Sequence, residues 1–146
     1  MRGYSEQEIF SKYEVHVLDQ VSRMLAELPD IPDVRCHELT RAVGRAFRLE
    51  HQDGFYGFVD HSWLWTTPLS EARQALRKTR IGFPNILDVY SVGQLPMVRL
   101  VACESSSLPH VGWAYRPGDA REDIDLKMVE TIYRALMDGL RPQRST

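Results

Sequence analysis

The chain has 146 residues, of which 43% are hydrophobic and 26% charged, an ordinary globular balance that excludes a disordered chain. Its formal charge of -2 offers no overall basic field for nucleic acid or an anionic membrane surface. No apolar stretch approaches the roughly 20 residues that span a bilayer, and the polar start Met1-Arg2-Gly3-Tyr4-Ser5-Glu6 does not read as a secretion signal. The expectation is a cytoplasmic protein whose two thiols, Cys36 and Cys103, stay reduced.

A single domain over 1–146 accounts for the length, with no repeat, low-complexity tract or linker. Residues 5–28 read as an amphipathic helix. Ser5 and Glu8 fit a capping box, and Phe10, Tyr13, Val17, Val21, Met24, Leu25 and Leu28 follow at helical spacing up to Pro29. A second helix is expected over 34–49 with Asp33 as its N-cap. Cys36, Leu39, Thr40, Val43 and Phe47 share its inward face, and Arg35, Glu38, Arg41, Arg45 and Arg48 lie mostly outward. Gly44 weakens the helix and marks a place where a neighbour can come close.

Asp53-Gly54 carries a turn signal before a β-prone region, 55–115, with a helix inserted at Ser70 to Lys78. In Asp60 to Trp65, alternation sets His61, Trp63 and Trp65 on one face and Ser62 and Leu64 on the other. Further strands are expected at Ile86 to Tyr90 and Met97 to Cys103, with a short strand or irregular segment from His110 to Tyr115. A last helix, 121–140, has the stripe Ile124, Met128, Ile132, Leu136 and Leu140. Connections between β runs are too short for most parallel crossovers, so the fold class is α+β, a small antiparallel sheet packed against helices.

Three residues combine the chemistry of a thiol enzyme. Cys36 falls in the first turn of a helix, where free backbone N–H groups and the positive end of the helix dipole favour thiolate. The same amides suit the oxyanion of an acyl-transfer intermediate. His61, on a strand between hydrophobic neighbours, is placed to act as a base. Asp88, among Ile86, Leu87, Val89 and Tyr90, needs a partner and would fix the tautomer of that base. Each of the three also has a plain structural reading, as a core cysteine, a packed histidine and a capping or ion-paired aspartate.

Cys36-His37-Glu38-Leu39 opening a helix, His61-Ser62-Trp63 on a strand and Ile86-Leu87-Asp88 on a later strand resemble the transglutaminase-like branch of the papain-like cysteine enzymes. The resemblance covers Cys36 to Tyr90. It implies Cys36 as nucleophile, His61 as general base and acid, Asp88 as the residue orienting His61, and Trp63 packed beside the site. The implied chemistry is thiol attack on an amide or peptide bond, as in a peptidase, deamidase or amidase, with a peptide or protein as substrate. Two departures stand out: Trp65 to Asn85 is longer than a simple hairpin connection, and Pro32-Asp33-Val34-Arg35 precedes the cysteine where the family has a glycine-rich or tryptophan-containing stretch.

Trp63, His110 and Trp113 are candidate substrate-lining residues. No cofactor motif is present. Cys36, His37, His61, Cys103 and His110 could ligate a metal only without any of the usual spacings, and Cys36 and His37 should diverge by about 100° around their helix. The alternative to catalysis is a binding or regulatory domain of the same fold that uses Tyr56, Phe58, Trp63, Trp65 and Trp113 toward a protein partner.

Overall fold

A computed structural model of the chain describes residues 10–66, 85–90, 98–101 and 115–140. The expected helix at Ser70 to Lys78, Cys103, His110 and Trp113 lie outside them, as do Ser5 and Glu8. The described residues form an α+β fold with helices α1 (Lys12–Glu27), α2 (Cys36–Phe47) and α3 (Leu126–Leu140). Strands β1 (His51–Tyr56), β2 (Val59–Trp65), β3 (Ile86–Asp88), β4 (Arg99–Val101) and β5 (Tyr115–Pro117) make one sheet in the order β4-β3-β2-β1-β5. All four pairings are antiparallel.

Several boundaries differ from the sequence expectation, each for a local reason. The capping box of α1 is made by Ser11 and Glu14, which exchange hydrogen bonds of 3.1 and 2.9 Å. Tyr13 faces solvent, while Val17 and Val21 carry the buried stripe. Helix α2 begins at Cys36 with Arg35 as N-cap, because Asp33 takes a left-handed φ of 63° and sits upstream in the turn. Helix α3 starts at Leu126, where the Asp125 carboxylate accepts from the Met128 amide. Residues 118–125 instead carry no helix or strand, with a bend at Glu122, and the Arg121 amide donates to Asp53 at 2.9 Å.

Asp53-Gly54 lies inside β1, not at a turn. The Asp53 carboxylate is occupied across the fold by Arg41, Ser62 and Arg121 instead of by its own backbone. The reversal falls at Gly57-Phe58, between the paired residues Tyr56 and Val59, and Gly57 supplies the φ of 61° that such a tight hairpin requires. Pro117 belongs to β5 and is tolerated because β5 is an edge strand.

Alternation divides the sheet into two environments. Leu64 and Leu87 face the helices, in a core with Val17, Val21, Leu39, Val43, Ile132 and Leu136. Trp63, Trp65, Ile86 and Tyr115 cluster on the opposite face, with Tyr56 and Val101 against them. Strand β3 registers with β2 at Leu64 and Trp65. At Ser62 the helix takes over: Thr40 Oγ1 donates to the Ser62 carbonyl at 3.3 Å, and the Cys36 sulfur meets the Ser62 backbone. The first turn of α2 is thereby held at the rim of β2, in reach of both faces.

Candidate active site

Cys36 is the first residue of α2 and is buried, with 8% of its surface exposed. No side chain caps the start of that helix among the described residues, since Arg35 has no acceptor to offer its amides. A cation at a helix N-terminus opposes the dipole; Arg35 is turned instead onto Glu38, at 2.6 and 2.7 Å, and onto Asp123 at 3.2 Å. Glu38, expected on the outward face, is fully buried through this pairing.

His61 and Asp88 point to the aromatic face from neighbouring strands and meet there. His61 Nε2 lies 2.9 and 3.0 Å from the two carboxylate oxygens, and both residues are essentially inaccessible to solvent. The carboxylate also accepts from the Tyr115 hydroxyl at 2.7 Å and from the Tyr90 amide at 3.1 Å. Arg99 Nη2 donates to the Tyr115 oxygen at 2.7 Å. Burial and the charge of Asp88 push the Tyr115 phenol up, so it keeps the proton it donates. With Nε2–H committed to Asp88, His61 Nδ1 is the free nitrogen; it is buried and has no hydrogen-bond partner among the described residues.

Cys36 and His61 act on each other. Burial alone would push the thiol up, but His37 foremost, then the neighbouring His61 and the Ser62 backbone, bring it down to about 6. Burial alone would likewise push the imidazole down, but Asp88 foremost, and Cys36 after it, raise His61 to about 9. Between those values the favoured state is a thiolate beside an imidazolium.

A second histidine reaches the same sulfur. His37 Nδ1 and Nε2 lie 3.6 and 3.9 Å from Cys36 Sγ, although adjacent helix positions were expected to diverge. Ser62 Oγ, 2.7 Å from His37 Nδ1, draws the ring back over the thiol. Ser62 Oγ in turn donates to Asp53 Oδ1 at 2.7 Å, and Arg41 grips Asp53 through both guanidinium ends. Burial works against the Asp53 carboxylate, yet Arg41, the Arg121 amide and Ser62 hold it down at about 2.

Of the sequence candidates, His61 and Asp88 meet directly, and Cys36 is coupled to His61 through its electrostatic influence, with no hydrogen bond to His61 Nδ1 among the described residues. Trp63 stands on the same face, fully buried, with its ring 6.4 Å from that of His61 and edge-on to Trp65 and Tyr115, an arrangement that suits packing. His37, Ser62, Asp53 and Tyr115 carry parts of the site that sequence reasoning did not assign. Asp53 was absorbed by a local turn signal, and the alternation that separates Ser62 from His61 hid their common target. Among the described residues no group of three or more His, Cys, Asp or Glu side chains is arranged to hold a metal ion, and no described helix is long and apolar enough to cross a membrane. Comparison of the chain with protein families, curated proteins and solved structures finds no match.

Proposed function

We propose that the protein is a thiol-dependent acyl-transfer enzyme acting on an amide or peptide bond, in the manner of transglutaminase-like and papain-like enzymes. The observation that carries this reading is the buried His61, with Nε2 on Asp88 at 2.9 Å, Nδ1 without a partner among the described residues, and the imidazole coupled to a helix-opening thiol.

In the proposed reaction the Cys36 thiolate attacks the substrate carbonyl, forming a C–S bond and an oxyanion. The first-turn amides of α2, which receive no side-chain cap, are the donors proposed for that oxygen. The His61 imidazolium gives its Nδ1 proton to the departing amine as the C–N bond breaks, leaving a thioester. Neutral His61 then takes a proton from water or an amine that attacks the thioester, and the thiolate is released. Asp88 stays ionised throughout, holding the ring and supporting its positive charge. Peptide or protein amides are the substrate class the resemblance favours.

The test is labelling by an electrophilic thiol probe together with hydrolysis of an activated thioester. Wild type should react at Cys36 with a rate that titrates near 6. In a Cys103→Ser background, Cys36→Ala should lose both signals, and His61→Ala should lose thioester turnover while remaining folded. A wild-type Cys36 that titrates as an ordinary thiol, or turnover that survives Cys36→Ala, would sink the proposal.

A further inference from the structure

We propose that His37 is a second base on the Cys36 thiol, distinct from His61 and locked in its acceptor tautomer by Ser62 and Asp53. The inference rests on Cys36 being the nucleophile of the proposed reaction, but not on the roles given to His61 and Asp88.

The proton inventory fixes the tautomer. Ser62 has one hydroxyl hydrogen, and it goes to Asp53 Oδ1 at 2.7 Å. The Ser62 oxygen must therefore accept from His37 at 2.7 Å, which places the ring proton on Nδ1. His37 Nε2 is then the nitrogen with the lone pair, on a ring that lies over Cys36 Sγ with Nδ1 at 3.6 Å and Nε2 at 3.9 Å. In the transfer the S–H bond breaks, the proton bonds to Nε2, and thiolate and imidazolium are left side by side. Asp53 supports that charge through Ser62 as Asp88 supports His61 directly.

The sheet explains how one sulfur can have two bases. His61 and Ser62 are consecutive on β2 and project to opposite faces, His61 toward Asp88 and Ser62 toward Asp53 under α2. Cys36 sits at the rim between them, against the Ser62 backbone. Among the described residues, the charged groups around His37 are Asp53 with Arg41, Glu38 with Arg35, and the Cys36–His61 pair. The two carboxylates there are neutralised by arginines, so neither is free to take the thiol proton in place of His37.

The experiment measures alkylation of Cys36 by a small haloacetamide against pH, in a Cys103→Ser background so that one thiol reports. The variants are wild type, His37→Asn, His61→Gln, the double variant, and Ser62→Ala. Asparagine keeps a donor toward Ser62 and removes the Nε2 lone pair. Each single histidine variant should titrate above wild type by about one pH unit, a tenfold change in the thiolate-to-thiol ratio, and the double variant, left with burial and neither histidine, should titrate at or above the ordinary thiol value of about 8.5. Ser62→Ala should move the midpoint in the same direction as His37→Asn. Nitrogen-15 histidine spectra give a second readout, with His37 expected as the Nδ1–H tautomer.

A His37→Asn profile that superposes on wild type overturns the proposal, as does His61→Gln alone reaching the ordinary range or a His37 ring protonated on Nε2. If wild type titrates low and His37→Asn does not move it, this inference fails and the acyl-transfer reading stands. If wild type itself titrates as an ordinary thiol, both fall.

Discussion

Among the described residues Asp88 accepts from His61 Nε2–H, the Tyr115 hydroxyl and the Tyr90 amide at once. An amide in its place keeps one oxygen but turns the other toward His61 or Tyr115 as a donor, so His61 loses the acceptor that holds its Nε2 proton. Asp88→Asn is therefore expected to lower thioester turnover by about a hundredfold or more while leaving Cys36 in place. The pH profile of turnover should be bell-shaped, rising through about 6 as Cys36 ionises and falling through about 9 as His61 loses the proton it must donate. A profile without the alkaline limb would remove His61 from the acid step. These three residues were legible in the sequence because each carries its anomaly locally: a cysteine at a helix start, a histidine and a carboxylate in apolar strands. His37, Ser62 and Asp53 were not, because their meaning lies in contacts across 25 and 9 positions that no local pattern records.

Helix α2 has to approach β2 closely for its first turn to reach His61, and Gly44 is where that closeness is set. A Cβ there would stand 2.7 Å from the Leu49 carbonyl oxygen and 2.8 Å from Leu64 Cδ2. The Leu49 backbone cannot easily yield, because its amide is bonded back to the Gly44 carbonyl at 2.8 Å. Gly44→Ala gains at most about 1 kcal/mol of helix propensity, against roughly 1–3 kcal/mol for overpacking. The expected result is a lower urea midpoint at unchanged m-value, and a midpoint that rises would show the helix free to move off the sheet. The close approach at this glycine was readable from its place in an otherwise periodic helix. Helix existence was readable as well, since periods of apolar residues decide which face is buried. Helix starts were less so: Asp33 looked like a cap for α2, yet its left-handed backbone places it before the helix. The hairpin reversal was displaced for a similar reason, because Asp53-Gly54 and Gly57-Phe58 offer competing turn chemistry and the tertiary demand on Asp53 by Arg41 and Ser62 selected the second.

For the molecule as a whole, the site makes a statement about stability against pH. Asp53, held at about 2, contributes stability that is present above its unfolded value of about 3.9 and is lost as pH falls through 2. Cys36, lowered to about 6, contributes stability present above the unfolded thiol value of about 8.5 and lost as pH falls through 6. His61, raised to about 9, does the reverse: its contribution is complete below about 6.5 and is lost as pH rises through 9. Between about 7 and 8, then, the folded pair holds one proton on the imidazole and the unfolded pair holds one on the thiol. The two states bind equal numbers of protons, and the free energy of unfolding should be flat across that window. Removing the thiol breaks the balance. In Cys36→Ala the folded state still holds the His61 proton against Asp88 while the unfolded state has released it. Stability should then fall with rising pH, by up to about 1.4 kcal/mol per unit. Urea unfolding at closely spaced pH values, on wild type and Cys36→Ala, measures both slopes. Equal slopes in the two proteins would mean that Cys36 holds its proton in the folded state at neutral pH, and the thiolate on which the site depends would not be there.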